Sequence, residues 1–501
     1  MTISGVSSYV APLIQSVQGI NTQLDLLQQQ LATGQKADSY AGLGSQSGVA
    51  VALNAQLAAL TGYDSTMTNV GTTISMQQAV LQQIGSIGST VQTSAGQPSF
   101  SVDNTGQTSV QETAASQLDQ VLGLLNTQGG NGYLFSGSGV NQPSVDTADH
   151  ILNGNGSQAG LKQVIAERLQ ADQGADGLCR LVIPAPTGTA VSVSEDVAGS
   201  PFGLKLAGVS SSLTGATVTG PTGSPAAISV DLGATNPNNG DTITYTFTLP
   251  DGTSQTLQLQ ATTSATPGPN QFAIGATPTD TAANLQAALA AGVTQIGQTS
   301  LAAASAMAAS NNFFDDPPQR VSGTPATATS LVNGTSANTV FWYTGDNSAG
   351  SVRSTATARI DPSTTVSYGT QANEQGIRTI VQNIATLAAT TYSASDPNAS
   401  ASYNDLNQSI YTALAVPSGV QNITDIEASL ANAQTTIASA QSQNPQTENV
   451  LTNLLQSIQG VDQNQVGAEI LGLQTSLSAS LSATARMAQL NLVTYLSPVT
   501  G

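Results

Sequence analysis

Val466-Gly467-Ala468-Glu469-Ile470-Leu471-Gly472-Leu473-Gln474-Thr475-Ser476-Leu477 is the stretch that decides how this chain is read. Val466, Ile470, Leu473, Leu477 and Leu481 step by four and three, which puts one apolar side chain per turn on a single helix edge. That is the spacing of a coiled-coil seam, narrower than the stripe of a core-facing helix. The last quarter repeats it at Ile423, Ile426, Leu430, Ala433, Ile437 and Ala440, then at Leu451, Leu454, Ile458 and Val461, and Leu492 and Leu496 carry apolar character to the C-terminal end. Gln, Ser, Thr, Asn and Ala fill the gaps, so such a helix cannot bury its own apolar line.

The first fifth of the chain has the same design. Leu13, Val17, Ile20, Leu24, Leu27 and Leu31 follow one another by four and three, and Asp25 is the only charge before Lys36. A second run covers Val49, Leu53, Leu60, Tyr63, Met67, Val70, Ile74, Leu81, Ile84 and Val91, with Gln56, Gln77 and Gly88 as its non-apolar seam positions. Seams at opposite ends of one chain can cover each other side by side, with everything between them looped out. The expected fold is mainly α: a coiled-coil-like helical rod built from the N- and C-terminal helices, with an α+β insertion domain in the middle.

Composition narrows the class. Charged residues are 8% of 501 and aromatics 4%, against roughly 25% charged in an ordinary soluble domain. Solubility must therefore come from neutral polar side chains. Twenty-nine acids against 10 bases give a net charge of -19, which a phosphate backbone would repel, so nucleic acid is excluded as a partner. No run approaches the roughly 18 uninterrupted apolar residues of a membrane span, so membrane insertion is not expected. The start also lacks the basic residues and apolar core of a secretory signal, and any export is expected to proceed without a cleaved leader.

Read in order, residues 1–34 form a first helix that begins near Ser7 to Pro12 and stops at Gly34, and residues 35–47 form a loop. Val110, Ala114, Leu118, Val121 and Leu125 mark a third helix, followed by the aromatic stretch Tyr133-Leu134-Phe135 between glycines. Beyond it the pattern changes, for 15 of the 21 prolines lie between Pro143 and Pro362. Asp241–Leu249 and Gln255–Gln260 alternate about Pro250-Asp251-Gly252-Thr253, which predicts a hairpin. Weaker strand signals occur at 190–193, 226–232 and 339–343, and a strand or strand pair at 353–368. Helices are expected at 281–309, 373–389 and 403–415, with a kink or break at Pro445, where Asn444 can cap a new start. The expected parts are 1–34, an N-terminal assembly helix; 35–140, half of the rod; 141–370, the variable insertion; 371–462, the other half; and 463–501, a C-terminal assembly helix.

Catalytic chemistry finds little here. One histidine, His150, forbids His-Glu-x-x-His, and one cysteine, Cys179, forbids an internal disulfide or a multi-cysteine metal site. There is no Gly-x-Ser-x-Gly elbow and no phosphate-binding Walker loop. Gly42-Leu43-Gly44-Ser45-Gln46-Ser47-Gly48 follows a helix and has one residue too many for a dinucleotide loop. Asp315-Asp316 reads as a solvated turn, and Phe341-Trp342-Tyr343 as local core with a carbohydrate or receptor contact as its alternative. No enzyme activity, cofactor or metal is expected.

Three motifs resemble a known family, the flagellins and flagellar hook-associated proteins of bacteria. Leu31-Ala32-Thr33-Gly34-Gln35-Lys36 is similar to the segment that follows that family's first helix. Tyr133-Leu134-Phe135-Ser136-Gly137-Ser138 and residues 483–496 resemble segments of the hook–filament junction member more than those of filament flagellin. The stretch after Gly34 lacks the paired acids usual in flagellin, while the insertion is larger than a junction protein usually carries. The resemblance implies a place in the extracellular flagellum, export through its channel, self-assembly through the terminal helices, contacts with other hook, junction and filament proteins, and an export chaperone. It implies a junction adaptor first, filament flagellin second, with a secreted adhesin as the reading outside the family. The assembly residues expected from the seams are Leu13, Val17, Ile20, Leu24, Leu27, Leu31, Val466, Ile470, Leu473, Leu477, Leu481, Leu492 and Leu496. Because an isolated seam is marginal in water, both terminal helices are expected to order against other copies.

Overall fold

The computed structural model describes residues 4–495 except 131, 349 and 418, and within them the side chains of 11–487 and of 489. Helix makes up 53% of the chain, so the protein is mainly α with a mixed middle, as its patterning predicts. The helices are α1 (Ser4–Thr33), α2 (Ser47–Ala95), α3 (Ser109–Leu125), α4 (Ala148–Asn153), α5 (Leu161–Gln173), α6 (Pro278–Gln298), α7 (Ser300–Phe313), α8 (Gln375–Ala389), α9 (Ala399–Leu414), α10 (Ile423–Gln459) and α11 (Gln463–Tyr495). Two compact units form: Met1–Val70 with Ala358–Val366 and Thr435–Gly501, and Gly71–Thr357 with Ser367–Gln434. The unit boundary falls inside α2 and α10.

In the first unit, α1 and α11 pack along their seams, and the start of α2 packs against the end of α10. Two prolines behave differently from expectation. Pro12 lies inside α1, which begins at Ser4, and Pro445 lies inside an α10 that runs unbroken from Ile423 to Gln459. A proline removes one helix hydrogen bond, yet α10 stays helical on both sides of Pro445. The real interruption comes at residues 460–462, between α10 and α11.

The second unit holds the insertion. The first strands are a short antiparallel pair, β1 (Gln128–Gly129) and β2 (Gly132–Tyr133). Then follow β3 (Leu181–Val182), β4 (Ala190–Glu195), β5 (Lys205–Ser211), β6 (Thr217–Thr222), β7 (Ala227–Asp231), β8 (Thr242–Thr248), β9 (Ser254–Thr262) and β10 (Gln271–Ala273). They make two four-stranded sheets in the orders β10-β9-β8-β5 and β3-β4-β7-β6. The alternating hairpin is β8 and β9, registered from Thr242 opposite Gln260 to Thr248 opposite Ser254. Its Ile243, Tyr245 and Phe247 share one core with Val191, Val193, Ile228 and Val230 of the other sheet and with Leu285, Leu289 and Val293 of α6. Two shorter pairs complete the strands: β11 (Gln319–Val321) pairs with β12 (Leu331–Asn333), and β13 (Thr357–Arg359) with β14 (Thr365–Ser367), the return pair expected at 353–368.

Other expectations are corrected. The helix expected over 281–309 is two, α6 and α7, which meet at Thr299 with φ -120° and ψ -98°. The turn lets α6 lie on the β core while α7 packs among α5, α8 and α9. The strand expected at 339–343 is absent; only single bridges form, Ala159 with Thr339 and Val145 with Tyr343. Burial of Trp342 against Phe314, ring centres 5.2 Å apart, fixes this stretch instead of a ladder. Strands β5 and β6 escape the pattern because each carries a register shift and β6 contains Gly220-Pro221.

Tyr245 is fully buried in the β core, and its hydroxyl has no hydrogen-bond partner. A buried unsatisfied hydroxyl costs about 1–3 kcal/mol. Tyr245→Phe is therefore expected to leave the fold intact and raise its resistance to urea by up to about 1 kcal/mol, read from the shift in unfolding midpoint; a loss of stability would show that the hydroxyl is in use.

Candidate functional site: the paired terminal helices

The seam residues meet within one chain. Leu24 and Leu27 of α1 are buried in a cluster with Val466 and Ile470 of α11, and Ile20, Val461, Leu473 and Leu477 pack around them. Each helix supplies what the other lacks, four- and three-residue steps meeting four- and three-residue steps. Where the sequence reading expects these helices to order against other copies, the structure has them ordered against each other.

The geometry of the crossing explains the Leu31–Lys36 motif. Gly34 takes φ +68°, a left-handed conformation that ends α1 without the strain a side chain would bring. The next residues hydrogen-bond across to the break after α10: the Lys36 amide donates to the Gln459 carbonyl at 2.7 Å, and the Val461 amide to the Gly34 carbonyl at 3.1 Å. Gln30 Nε2 donates to the Lys36 carbonyl at 2.8 Å, and Lys36 Nζ reaches the Ser457 carbonyl at 3.4 Å. Asp462 then caps α11, its carboxylate accepting from the amides of Asn464 and Gln465. Three polar contacts across one break set which seam faces which.

Next to this crossing, Ala50 and Leu53 of α2 are buried against Ile458, with Leu43, Leu451 and Leu455 around them. Here two seam assignments shift by one residue. Ala50 takes the buried place expected for Val49, and Leu455 faces the cluster while Leu454 stands exposed. A heptad pattern fixes the spacing of an edge but leaves a one-residue ambiguity wherever two neighbours are both apolar.

Of the expected assembly residues, Leu24, Leu27, Val466 and Ile470 are buried, Leu13, Val17, Ile20, Leu473 and Leu477 are half-buried, and Leu31 and Leu481 are exposed. Leu492 lies in α11 with its side chain outside the described residues, and Leu496 lies outside them altogether.

A second constellation is built around the aromatic stretch. Leu134, Phe135 and Ser136 are buried, and the chain returning at Thr370–Ala372 pairs with them: Gly137 amide to Thr370 carbonyl at 3.1 Å, Ala372 amide to Phe135 carbonyl at 2.8 Å. Gln77, the odd residue on the α2 seam, is buried because its Nε2 donates to Thr370 Oγ1 at 2.8 Å and to the Leu134 carbonyl at 3.3 Å. The Asp346 backbone amide donates a hydrogen bond to the Ser136 carbonyl at 2.9 Å, and its carboxylate accepts from the Ser138 hydroxyl. Gly88, the other odd seam residue of this half, makes room for Ile380, since a Cβ there would stand 2.8 Å from its Cδ1.

The remaining chemistry-bearing residues have structural surroundings. Cys179 is buried 3.4 Å from the Val293 carbonyl, and burial, helped by Asp172 and Asp176, pushes its thiol up to about 12, where it is inert at neutral pH. His150 Nδ1 lies 2.9 Å from Asp146 Oδ2. Asp315 lies 3.6 Å from Arg378, and Trp342 Nε1 donates to the Phe314 carbonyl at 3.3 Å. Among the described residues no group of three His, Cys, Asp or Glu is placed to hold a metal ion, and no helix is long and apolar enough to cross a membrane.

Neutral polar terminal helices joined by seams, with a mixed α+β insertion between them, define a helical structural subunit. Residues 9–139 match the bacterial flagellin N-terminal helical region, a likeness that supports a structural component of the flagellum. No curated protein matches the chain. The matched region spans α1, α2, α3 and the aromatic stretch, so it includes one partner of the seam pair and the whole of the Leu31–Lys36 motif.

Two outcomes follow from these contacts. Leu24→Ala and Ile470→Ala each leave a cavity in a small cluster and should cost roughly 2–4 kcal/mol; because both lie in that cluster, the double variant should fall short of additivity by more than about 0.5 kcal/mol in thermal unfolding. Gln77→Leu should destabilise by about 1 kcal/mol by removing the donor to the Thr370 hydroxyl, while the Leu134 carbonyl keeps the Thr370 hydroxyl at 2.6 Å; thermal unfolding measures it the same way.

Proposed function

We propose that this chain is the adaptor at the junction between flagellar hook and filament, and that it assembles through its terminal helices. The observation that carries the choice of adaptor is the Tyr133–Ser138 stretch. It resembles the junction member's segment, and its backbone is held by Gln77 and by residues 370–372, so it is a built element rather than a loose linker. Residues 483–496 and the absence of paired acids after Gly34 support the same choice. The partners are then further copies of the chain and the hook, junction and filament proteins, with an export chaperone before assembly and passage through the channel.

Filament flagellin is the second reading, and the 141–370 insertion favours it, since two four-stranded sheets and their covering helices are a large body for an adaptor. Copy number separates the two. Quantitative mass spectrometry of purified flagella is expected to give about one ring of subunits per flagellum, and a vast excess would make the chain the filament protein instead. Deleting its gene should leave hooks that shed flagellin into the medium. Removing residues 1–34 should abolish incorporation while the second unit still folds; a truncated chain that incorporates normally would overturn assembly through the terminal helices.

A further inference from the structure

Within the second unit, strands β3 to β10 and helix α6 form a lobe, residues 181–298, around the core of Tyr245 and Phe247. The chain enters this lobe from α5 through Cys179 and Arg180 and leaves it for α7 at Thr299. The two crossings touch. Gln173 Nε2 donates to the Gly297 carbonyl at 3.1 Å, and Cys179 Sγ lies 3.4 Å from the Val293 carbonyl. A body attached through two adjacent crossings turns about them with little disturbance to its own core, which is the geometry of a hinge.

The entry crossing is strained. Cys179 and Arg180 take φ +57° and +67°, the left-handed region in which a side chain crowds the following carbonyl oxygen. Among the described residues they are the only two consecutive non-glycine residues there. Gly203 of the lobe is pressed against them, for a Cβ at that position would stand 2.4 Å from both Arg180 Cβ and the Cys179 carbonyl oxygen. Backbone strain persists only where surrounding contacts over-determine the conformation. Here the Cys179 amide donates to the Gln173 carbonyl on the helical side, while the Leu204 amide donates to the Cys179 carbonyl and the Asp196 amide to the Arg180 carbonyl on the lobe side, each at 3.0 Å.

The buried Arg180 side chain spans the crossing. Its Nη1 donates to the Ala326 carbonyl at 3.0 Å, in a short turn that packs on α5, and its Nε lies 2.6 Å from Asp196 Oδ2 in the lobe. That ion pair is poorly aligned: Nε makes no hydrogen bond, and Asp196 Oδ1 is buried without a partner. Buried polar groups left unsatisfied raise the free energy of the closed arrangement, as the strain does. The same edge is held by Arg168 and Asp172 of α5, which meet the Pro201 carbonyl and the Gly203 amide at 2.9 Å each, so the closed form dominates. We propose that Cys179-Arg180 is a strained hinge on which the lobe opens away from α5, and that Arg180, tied to Asp196 and Ala326 at once, is the latch that keeps it shut.

Cys179, the single cysteine of the chain, is a native reporter, because it is buried when the lobe is closed and meets solvent when the hinge opens. The full-length chain is treated with a maleimide at increasing urea. Local opening predicts a labelling rate that hardly changes with urea below the unfolding transition. A rate that follows the loss of helical ellipticity at every urea concentration would overturn the proposal, and this holds for the unaltered chain even if a variant fails to fold. Arg180→Ala removes the latch but keeps a side chain in the left-handed corner, so labelling without urea should rise at least about tenfold. Arg180→Gly removes latch and strain together and should rise by clearly less. A rise for Arg180→Gly equal to or above that for Arg180→Ala would show that strain does not drive the opening, and no rise in either would show that Arg180 is not a latch; each result overturns the hinge as stated.

Discussion

Two helices that carry one apolar edge each, and almost no charge, can satisfy those edges with a single kind of neighbour. In this chain Leu24 and Leu27 find Val466 and Ile470 across more than 430 residues of intervening sequence. Closing so long a loop is entropically unfavourable but only logarithmically so, and the cluster of eight apolar side chains offsets it. The polar contacts at Gly34, Lys36, Gln459 and Val461 then fix the register, which a repeating seam alone leaves free to slip by a heptad.

The few charges in this protein are spent mostly in the second unit. Arg168 and Asp172 are both buried, 2.8 Å apart, and Asp172 also accepts from the Gly203 amide and the Ser305 hydroxyl, so one carboxylate ties α5 to the β5 approach and to α7. Burial pushes that carboxyl up while Arg168 pulls it down. Glu374 does similar work at the start of α8, where it meets Arg353, the Gln371 amide and Gln421. Buried pairs of this kind contribute little net stability but disfavour alternative packings, because any other arrangement strands a charge. The terminal helices use the opposite strategy, with apolar seams and neutral polar flanks.

The match of residues 9–139 to the bacterial flagellin N-terminal helical region gives these features a common setting. A structural component of the flagellum needs surfaces that stay soluble before assembly and cohere after it. Gln, Ser, Thr and Asn provide the first property without setting like charges against each other.

Much of this was legible from residue order. The four-and-three spacing of Leu13 to Leu31 and of Val466 to Leu481 determined that the ends are helical and need partners, Gly34 determined where the first helix stops, and Asp241–Gln260 determined the hairpin. These are local properties, set by periodicities that a few neighbouring residues encode. Tertiary structure alone decided the rest. It chose Leu455 over Leu454 for the inner face, gave Gln77 a carbonyl and a hydroxyl to bind, turned Thr299 into a corner, and pinned Trp342 on Phe314 instead of in a strand. A seam states that an edge must be covered, but whether the cover comes from the same chain or another depends on distances through space, and those are fixed only when the chain has folded.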